Sequence, residues 1–303
     1  MLRESGKTSF YDAINFVTVQ MKKAAPFTIG YSTCPNDTLI FCPLVKGLVG
    51  CSIPLAPEEL ADVETLNTWA LVGRLDITKL SFSAFGHVMD RYVMLSSGAA
   101  LGRGCGPLVV SREKMPLVSL SGARVAIPGR LTTAAMLFRM RFPECADVVA
   151  ISFDQIMPAI VRGEVDAGVL IHESRFTYQR HGLHMLLDLG EWWEQTAGAP
   201  IPLGGIAMKR SLGEEVAGRF EKELAQSVRW ALAHRDKCSD YVSSHAQEMD
   251  EHVLQSHISL YVTPFTVDLG KEGKRAVELF LRQGREAGCL PPSTAAPFLT
   301  VDN

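Results

Sequence analysis

The side chain best suited to move a proton in this chain is His172, which follows the apolar run Ala167-Gly-Val-Leu-Ile171. An imidazole with an ordinary pKa of about 6.5 is available as a general base near neutral pH. A histidine at a strand end is also a common structural group, so its position has to carry the argument. That position recurs. Asn67-Thr-Trp-Ala-Leu-Val-Gly73-Arg-Leu-Asp76 leads into Ile77–Ser81, and Met157-Pro-Ala-Ile-Val-Arg-Gly163-Glu-Val-Asp166 leads into Ala167–His172. In each copy Gly suits a left-handed helix end and Asp suits the turn into a strand. Lys79 and Ser81 end one copy and His172 and Glu173 the other. Alternation puts Lys79 and Ser81 on one side, toward a cleft or toward the helices. The same alternation sends Glu173 away from His172, a poor placement for orienting the imidazole.

Two strand-to-helix junctions add candidates. In Pro128-Gly-Arg-Leu-Thr132-Thr133-Ala134, Thr132 can cap a helix whose free N–H groups would attract an anion, and Thr133 adds a hydroxyl donor. A helix cap without any ligand fits the same residues. Ser32-Thr-Cys34-Pro-Asn36-Asp37 occupies the equivalent junction of the first half, so Ser32, Asn36 and Asp37 are possible cleft-lining residues or an ordinary turn. Cys34 reads as a small packed residue, with no visible base to make it a thiolate. Other signals fail. Gly102-Arg-Gly104-Cys-Gly106 precedes Pro107 and a strand where a dinucleotide loop needs a helix. His252 and His257 are five apart and do not share a helical face, which excludes an HExxH-type zinc pair. Trp192 and Trp193 could stack on an aromatic ligand or pack in a loop.

The elements that must position these groups follow from periodicity. Strands are expected at Phe27–Ser32, Asp76–Phe82, Leu108–Ser111, Ala123–Ile127, Val148–Phe153, Ala167–His172, His184–Leu189 and Ile206–Lys209. Helices are expected at Thr38–Val45, Pro57–Val72, Ala135–Phe142, Gln155–Arg162, Glu214–His234, Cys238–Ala246, Asp250–Tyr261 and Lys271–Gly288. Gly98–Pro107 is either a loose loop or a crossing between lobes, and Pro200–Gly205 repeats its Pro/Gly character. With two crossings, one lobe comprises 26–106 plus 207–295 and the other 107–206. Residues 1–25 then form an extension outside the fold and 296–303 a C-terminal tail. Ligands in open α/β sheets sit beyond the carboxyl ends of strands, so two facing lobes make a small-molecule cleft between them.

Composition narrows the class of protein. At 303 residues, 47% hydrophobic, the chain has enough apolar material for two packed cores. A net charge of −3 without a basic run argues against nucleic acid or an anionic membrane as partner. Seven scattered cysteines with no CxxC pair favour a reducing compartment and give no metal site. The first residues lack the uninterrupted apolar core of a secretory signal, so a cytoplasmic protein is expected, a monomer or homodimer.

Six ordered motifs also resemble one family: Cys34-Pro-Asn-Asp-Thr38, Asp62-Val-Glu-Thr-Leu-Asn67, Thr78-Lys-Leu-Ser81, Gly102-Arg-Gly104, Pro128–Ala134 and Ile171-His-Glu-Ser-Arg-Phe176. Together they resemble the 1,4-dihydroxy-6-naphthoate synthases of the futalosine route to menaquinone, from about Phe27 to the C-terminal helices. The resemblance implies an α/β, two-lobed type II periplasmic-binding-protein-like fold with the ligand cleft between lobes. It implies a carbon–carbon lyase that converts cyclic dehypoxanthinylfutalosine, a carboxylate, to 1,4-dihydroxy-6-naphthoate and dihydroxyacetone without cofactor or metal. By position it implies His172 as proton acceptor, with Lys79, Leu80, Ser81, Thr133 and Ala134 as substrate contacts. Thr33 stands where the family commonly has Pro, and Leu131 where His is common, which removes a polar neighbour of the ligand. Chorismate dehydratase of the same pathway and a non-catalytic carboxylate-binding protein share the expected layout. The strand-end histidine and the Thr132–Thr133 motif favour the synthase.

Overall fold

Two sheets of the same topology form the molecule, in a computed structural model that describes residues 25–246 and 250–300. The first contains β1 (Ile29–Tyr31), β2 (Glu59–Leu60), β3 (Ile77–Ser81), β4 (Tyr92–Met94), β5 (Ala100–Gly102) and, much later, β11 (Ile201–Lys209). The second contains β6 (Leu108–Ser111), β7 (Val125–Ile127), β8 (Val148–Ala150), β9 (Ala167–Leu170) and β10 (His184–Asp188). Read in parallel, the orders are β2-β1-β3-β11-β4 and β8-β7-β9-β6-β10. In each, three parallel strands meet one antiparallel strand that has just arrived from the other sheet. The short apolar runs suit strands covered on both faces. β5 pairs with the first half of β11, beside the two chain crossings.

The repeated Gly-x-x-Asp motifs enter the equivalent strands β3 and β9. Gly73 and Gly163 take φ of 69° and 72°, the left-handed geometry that terminates a helix. The aspartates then do the same work in both sheets. Asp76 accepts from the Thr28 N–H and hydroxyl, each at 3.0 Å, and Asp166 accepts from the Arg124 N–H at 2.8 Å. Thr28 and Arg124 precede β1 and β7, so each carboxylate ties its strand to the next parallel one.

Several boundaries differ from the periodicity reading. Residues 57–62 are not helical: Glu59–Leu60 pairs with β1, and the helix begins at Val63 because the Asp62 side chain caps the N–H groups of Glu64 and Thr65. Helices at Phe82–Val88 and Leu189–Ala197 follow strands directly, with no loop signal to announce them. β11 starts at Ile201, upstream of the 207 boundary, because the Pro/Gly segment pairs along β5 and β3. Gly204 is required there, since a Cβ would come 2.7 Å from the Leu80 carbonyl oxygen. The extension expected over 1–25 lies outside the described residues except for Ala25. Part of the expected 296–303 tail belongs to the fold: the Met94 N–H donates to the Pro297 carbonyl, and Phe298 is buried.

One apolar core runs from the first sheet into the second. Phe82 and Phe85, after β3, share it with Ala135, Met136 and Phe138 of the helix Thr133–Arg141. Trp193 is also in this core, edge-on to Phe280 and donating Nε1–H to the Pro200 carbonyl, so it packs and does not face the cleft.

Candidate functional site

The carboxyl ends of β1, β3, β7 and β9 converge on a cavity of about 90 Å³. Lys79, Ser81, Thr132, Thr133, Ala134, His172, Ser32, Asn36 and Asp37 all line it. Leu80 does not. Pleating turns its side chain into the core, fully buried, so its backbone alone is available to a ligand.

On the β1–β3 wall, Lys79 and Ser81 point into the cavity, as one of the two alternation readings allows. Lys79 Nζ donates to Asp37 Oδ1, and both side chains are almost completely buried. The Ser32 hydroxyl donates to Asp37 Oδ2 at 2.7 Å and Asn36 Nδ2 to Oδ1 at 2.8 Å. Lys79 is therefore the counter-ion of a buried carboxylate and not a free anion receptor. Ser81 is held differently: its N–H donates to Asn67 Oδ1, and its Oγ accepts from Asn67 Nδ2 at 3.0 Å. The Ser81 hydroxyl hydrogen stays available to the cavity.

His172 comes from the opposite wall, two residues past the end of β9. Its φ of 56° is the only positive value of a non-glycine among the described residues. Side chains rarely adopt that region, and such outliers concentrate at functional sites. The turn at His172 breaks strand alternation, so Glu173 is not carried to the opposite face. Glu173 lies beside the site, 3.9 Å from His257, and is not hydrogen-bonded to His172. What touches His172 is Cys34, whose Sγ is 3.3 Å from Nδ1, and the edge of Phe153 at a ring separation of 5.0 Å. Burial pushes the imidazole below its ordinary pKa, with Glu173 and Asp37 pulling it partly back. The Cys34 thiol is pushed well above its usual range by burial and by Glu173 and Asp37. The pair is thus a neutral thiol against a neutral imidazole, not a thiolate–imidazolium nucleophile.

The third element is the helix Thr133–Arg141. Thr132 caps it, its Oγ1 accepting from the Ala135 N–H at 3.1 Å. The Thr133 and Ala134 N–H groups precede any intrahelical acceptor and are the donors left for an anion. The Thr133 hydroxyl is not one of them, because it donates to the Leu203 carbonyl at 2.7 Å. Just upstream, the Leu131 N–H donates to the Glu64 carboxylate, at 3.1 Å to Oε1. Glu64 belongs to the helix Val63–Leu71 beside β3, so this bond joins the two halves across the cleft. Gly129 admits the carboxylate: its φ is 131°, and a Cβ would stand 2.4 Å from Glu64 Cδ.

Sequence reasoning missed His257, Tyr261 and Cys105, all of which line the cavity. The spacing of His257 from Val253, Leu254 and Tyr261 places it on the buried face of its helix. Burial pushes the Cys105 thiol up to about 12. Among the described residues no group of His, Cys, Asp and Glu could hold a metal ion, and no helix is long and apolar enough to cross a membrane. Arg175, next to the site, bonds the Gly104 carbonyl at 2.9 Å and Asp188 at 2.6 Å, pinning the glycine-rich crossing.

Comparison with known proteins agrees with this architecture. A family model described as Menaquinone biosynthesis matches residues 27–286. A 1,4-dihydroxy-6-naphthoate synthase of Thermus thermophilus is 48% identical, covering 89% of this chain and 98% of that one. A synthase of the same name from Streptomyces coelicolor is 44% identical, covering 87% and 94%. Among solved structures, a Candida albicans protein with the generic periplasmic binding protein fold superposes with a TM-score of 0.65 at 13% identity, covering 89% of this chain and 92% of that one.

Proposed function

The chain belongs to the menaquinone biosynthesis family, and from that premise we propose that it is a 1,4-dihydroxy-6-naphthoate synthase with His172 as its general base. Its substrate on this reading is cyclic dehypoxanthinylfutalosine, cleaved at carbon–carbon bonds to the naphthoate and dihydroxyacetone. The observation that carries the assignment is the strained His172, held in the cavity against a thiol that stays protonated.

The division of labour follows from the donors. The substrate carboxylate belongs at the Thr133 and Ala134 N–H groups, where the helix terminus favours negative charge. His172, kept neutral by burial, takes the proton from carbon next to a carbonyl or hydroxyl. Of its two nitrogens, Nε2 can act as the base in the tautomer whose Nδ1–H donates to Cys34 Sγ. The Ser81 hydroxyl donates to the oxygen that becomes negative, at a position already set by Asn67. The buried Lys79–Asp37 pair holds that wall in place. Closure by Glu64 keeps water out while the new ring aromatises.

Incubating purified protein with cyclic dehypoxanthinylfutalosine, without added metal or nucleotide, tests the reading. Appearance of the ultraviolet spectrum of the dihydroxynaphthoate is expected. No turnover of that compound, with dehydration of chorismate in parallel, would transfer the protein to the other activity.

A further inference from the structure

His257 is 1% exposed, lines the cavity, and stacks near-parallel to His172 with ring centres 6.2 Å apart. Its tautomer is set by a chain of partners. Lys79 and Ser32 orient Asp37, and Asp37 takes the Asn36 Nδ2 hydrogen. Asn36 must then present Oδ1 to His257 Nε2, 2.9 Å away. Only a protonated Nε2 can donate there, so in the neutral ring Nδ1 carries a lone pair. Burial, with His172 and Lys79 nearby, holds His257 well below the ordinary imidazole pKa. Among the described residues Nδ1 is the one buried side-chain polar atom without a hydrogen-bond partner. Glu173 Oε1, at 3.9 Å, is beyond hydrogen-bond reach.

A buried acceptor left unpaired is unfavourable, and such a group in a cavity selects what fills it. We propose that His257 is a positioning residue whose Nδ1 accepts the hydrogen of a substrate hydroxyl, fixing which end of the substrate faces His172. The proposal rests on the synthase reading and deepens it. A carboxylate or carbonyl offers no hydrogen and is disfavoured at Nδ1. The polyhydroxylated end of the substrate therefore lies toward His257, and its carboxylate toward Thr133 and Ala134. Specificity arises because a ligand with the reverse polarity pairs neither end.

Steady-state kinetics on the dehypoxanthinylfutalosine substrate separates this from a packing role. His257→Asn places an oxygen where Nδ1 stands and should keep kcat/KM within a few-fold of wild type. His257→Gln keeps a donor for Asn36 but loses the acceptor, and should lose about tenfold, the size of one hydrogen bond, mostly through KM. Equal losses in the two variants, or a loss carried by kcat alone, would overturn the proposal. Histidine-labelled wild type gives a readout that needs no variant. Nitrogen NMR should show an Nε2–H tautomer whose Nδ1 resonance moves when the other product, dihydroxyacetone, which carries the hydroxyls of that end, binds. An Nδ1–H tautomer, or an unmoved resonance with dihydroxyacetone bound, overturns it. A wild-type protein that binds and shifts Nδ1 without turnover removes the synthase reading and keeps the acceptor; no turnover and no shift removes both.

Discussion

His172 concentrates the chemistry in a single backbone outlier. Holding a β-unbranched residue at φ of 56° costs about 1–3 kcal/mol, which the surrounding packing has to offset. In return the ring leaves the sheet face and meets Cys34, 138 residues away in the chain. Because burial lowers its pKa, the neutral form persists below pH 6.5 and is lost only on further acidification. The pH profile of kcat should therefore be flat through neutrality and fall on the acid side, with a midpoint below 6.5. His172→Ala should leave product affinity, measured by fluorescence titration, close to wild type while kcat drops about 10²–10⁴-fold, the range of general-base catalysis. A variant with near-normal kcat would remove His172 from the reaction.

The duplicated strand entries make a matched pair of elements whose energetics differ. Asp76 holds the Thr28 N–H and hydroxyl and also Lys209, at 2.9 Å, and these bonds outweigh burial to keep its carboxyl below the usual range. Asp166 holds the Arg124 N–H in an exposed setting. Alanine at Asp76 should then cost about 2–3 kcal/mol of unfolding free energy and alanine at Asp166 about 1, as charge-assisted and single exposed bonds differ. Urea denaturation measures both, and similar midpoints for the two variants would refute the distinction. Periodicity identified the β3 and β9 strands well because alternation and Gly-Asp punctuation are local. It failed at 57–62, where Leu60 fits the helical spacing of Val63 and Leu66, and only pairing with β1 makes Glu59–Leu60 a strand.

At the scale of the molecule, the continuous core and the Glu64–Leu131 bond tie the two halves together across the cleft. Hinge closure is the expected motion of two such units, and the carboxylate crossing the cleft favours the closed arrangement. Removing it in Glu64→Ala should cost that arrangement about 1.5–3 kcal/mol, a 10- to 150-fold change in the closed-to-open ratio. Small-angle scattering should show a larger radius of gyration for this variant without ligand and the wild-type value with product bound. Identical scattering in the ligand-free proteins would mean that the shared core alone sets the closure.

By itself the amino-acid order determined the paired strand entries, the helix capped by Thr132, and a short set of polar side chains at strand ends. These depend on residues within a few positions of one another, where steric and hydrogen-bonding preferences act directly. Tertiary structure decided which of those side chains are free to act. Lys79 is committed to Asp37, the Thr133 hydroxyl to Leu203, and Leu80 to the core. It also brought Asn36 to His257 across 221 residues, a contact without any local signature. Such contacts are set by how the two sheets pack and by the path of the two crossings, and no spacing along the chain encodes that distance.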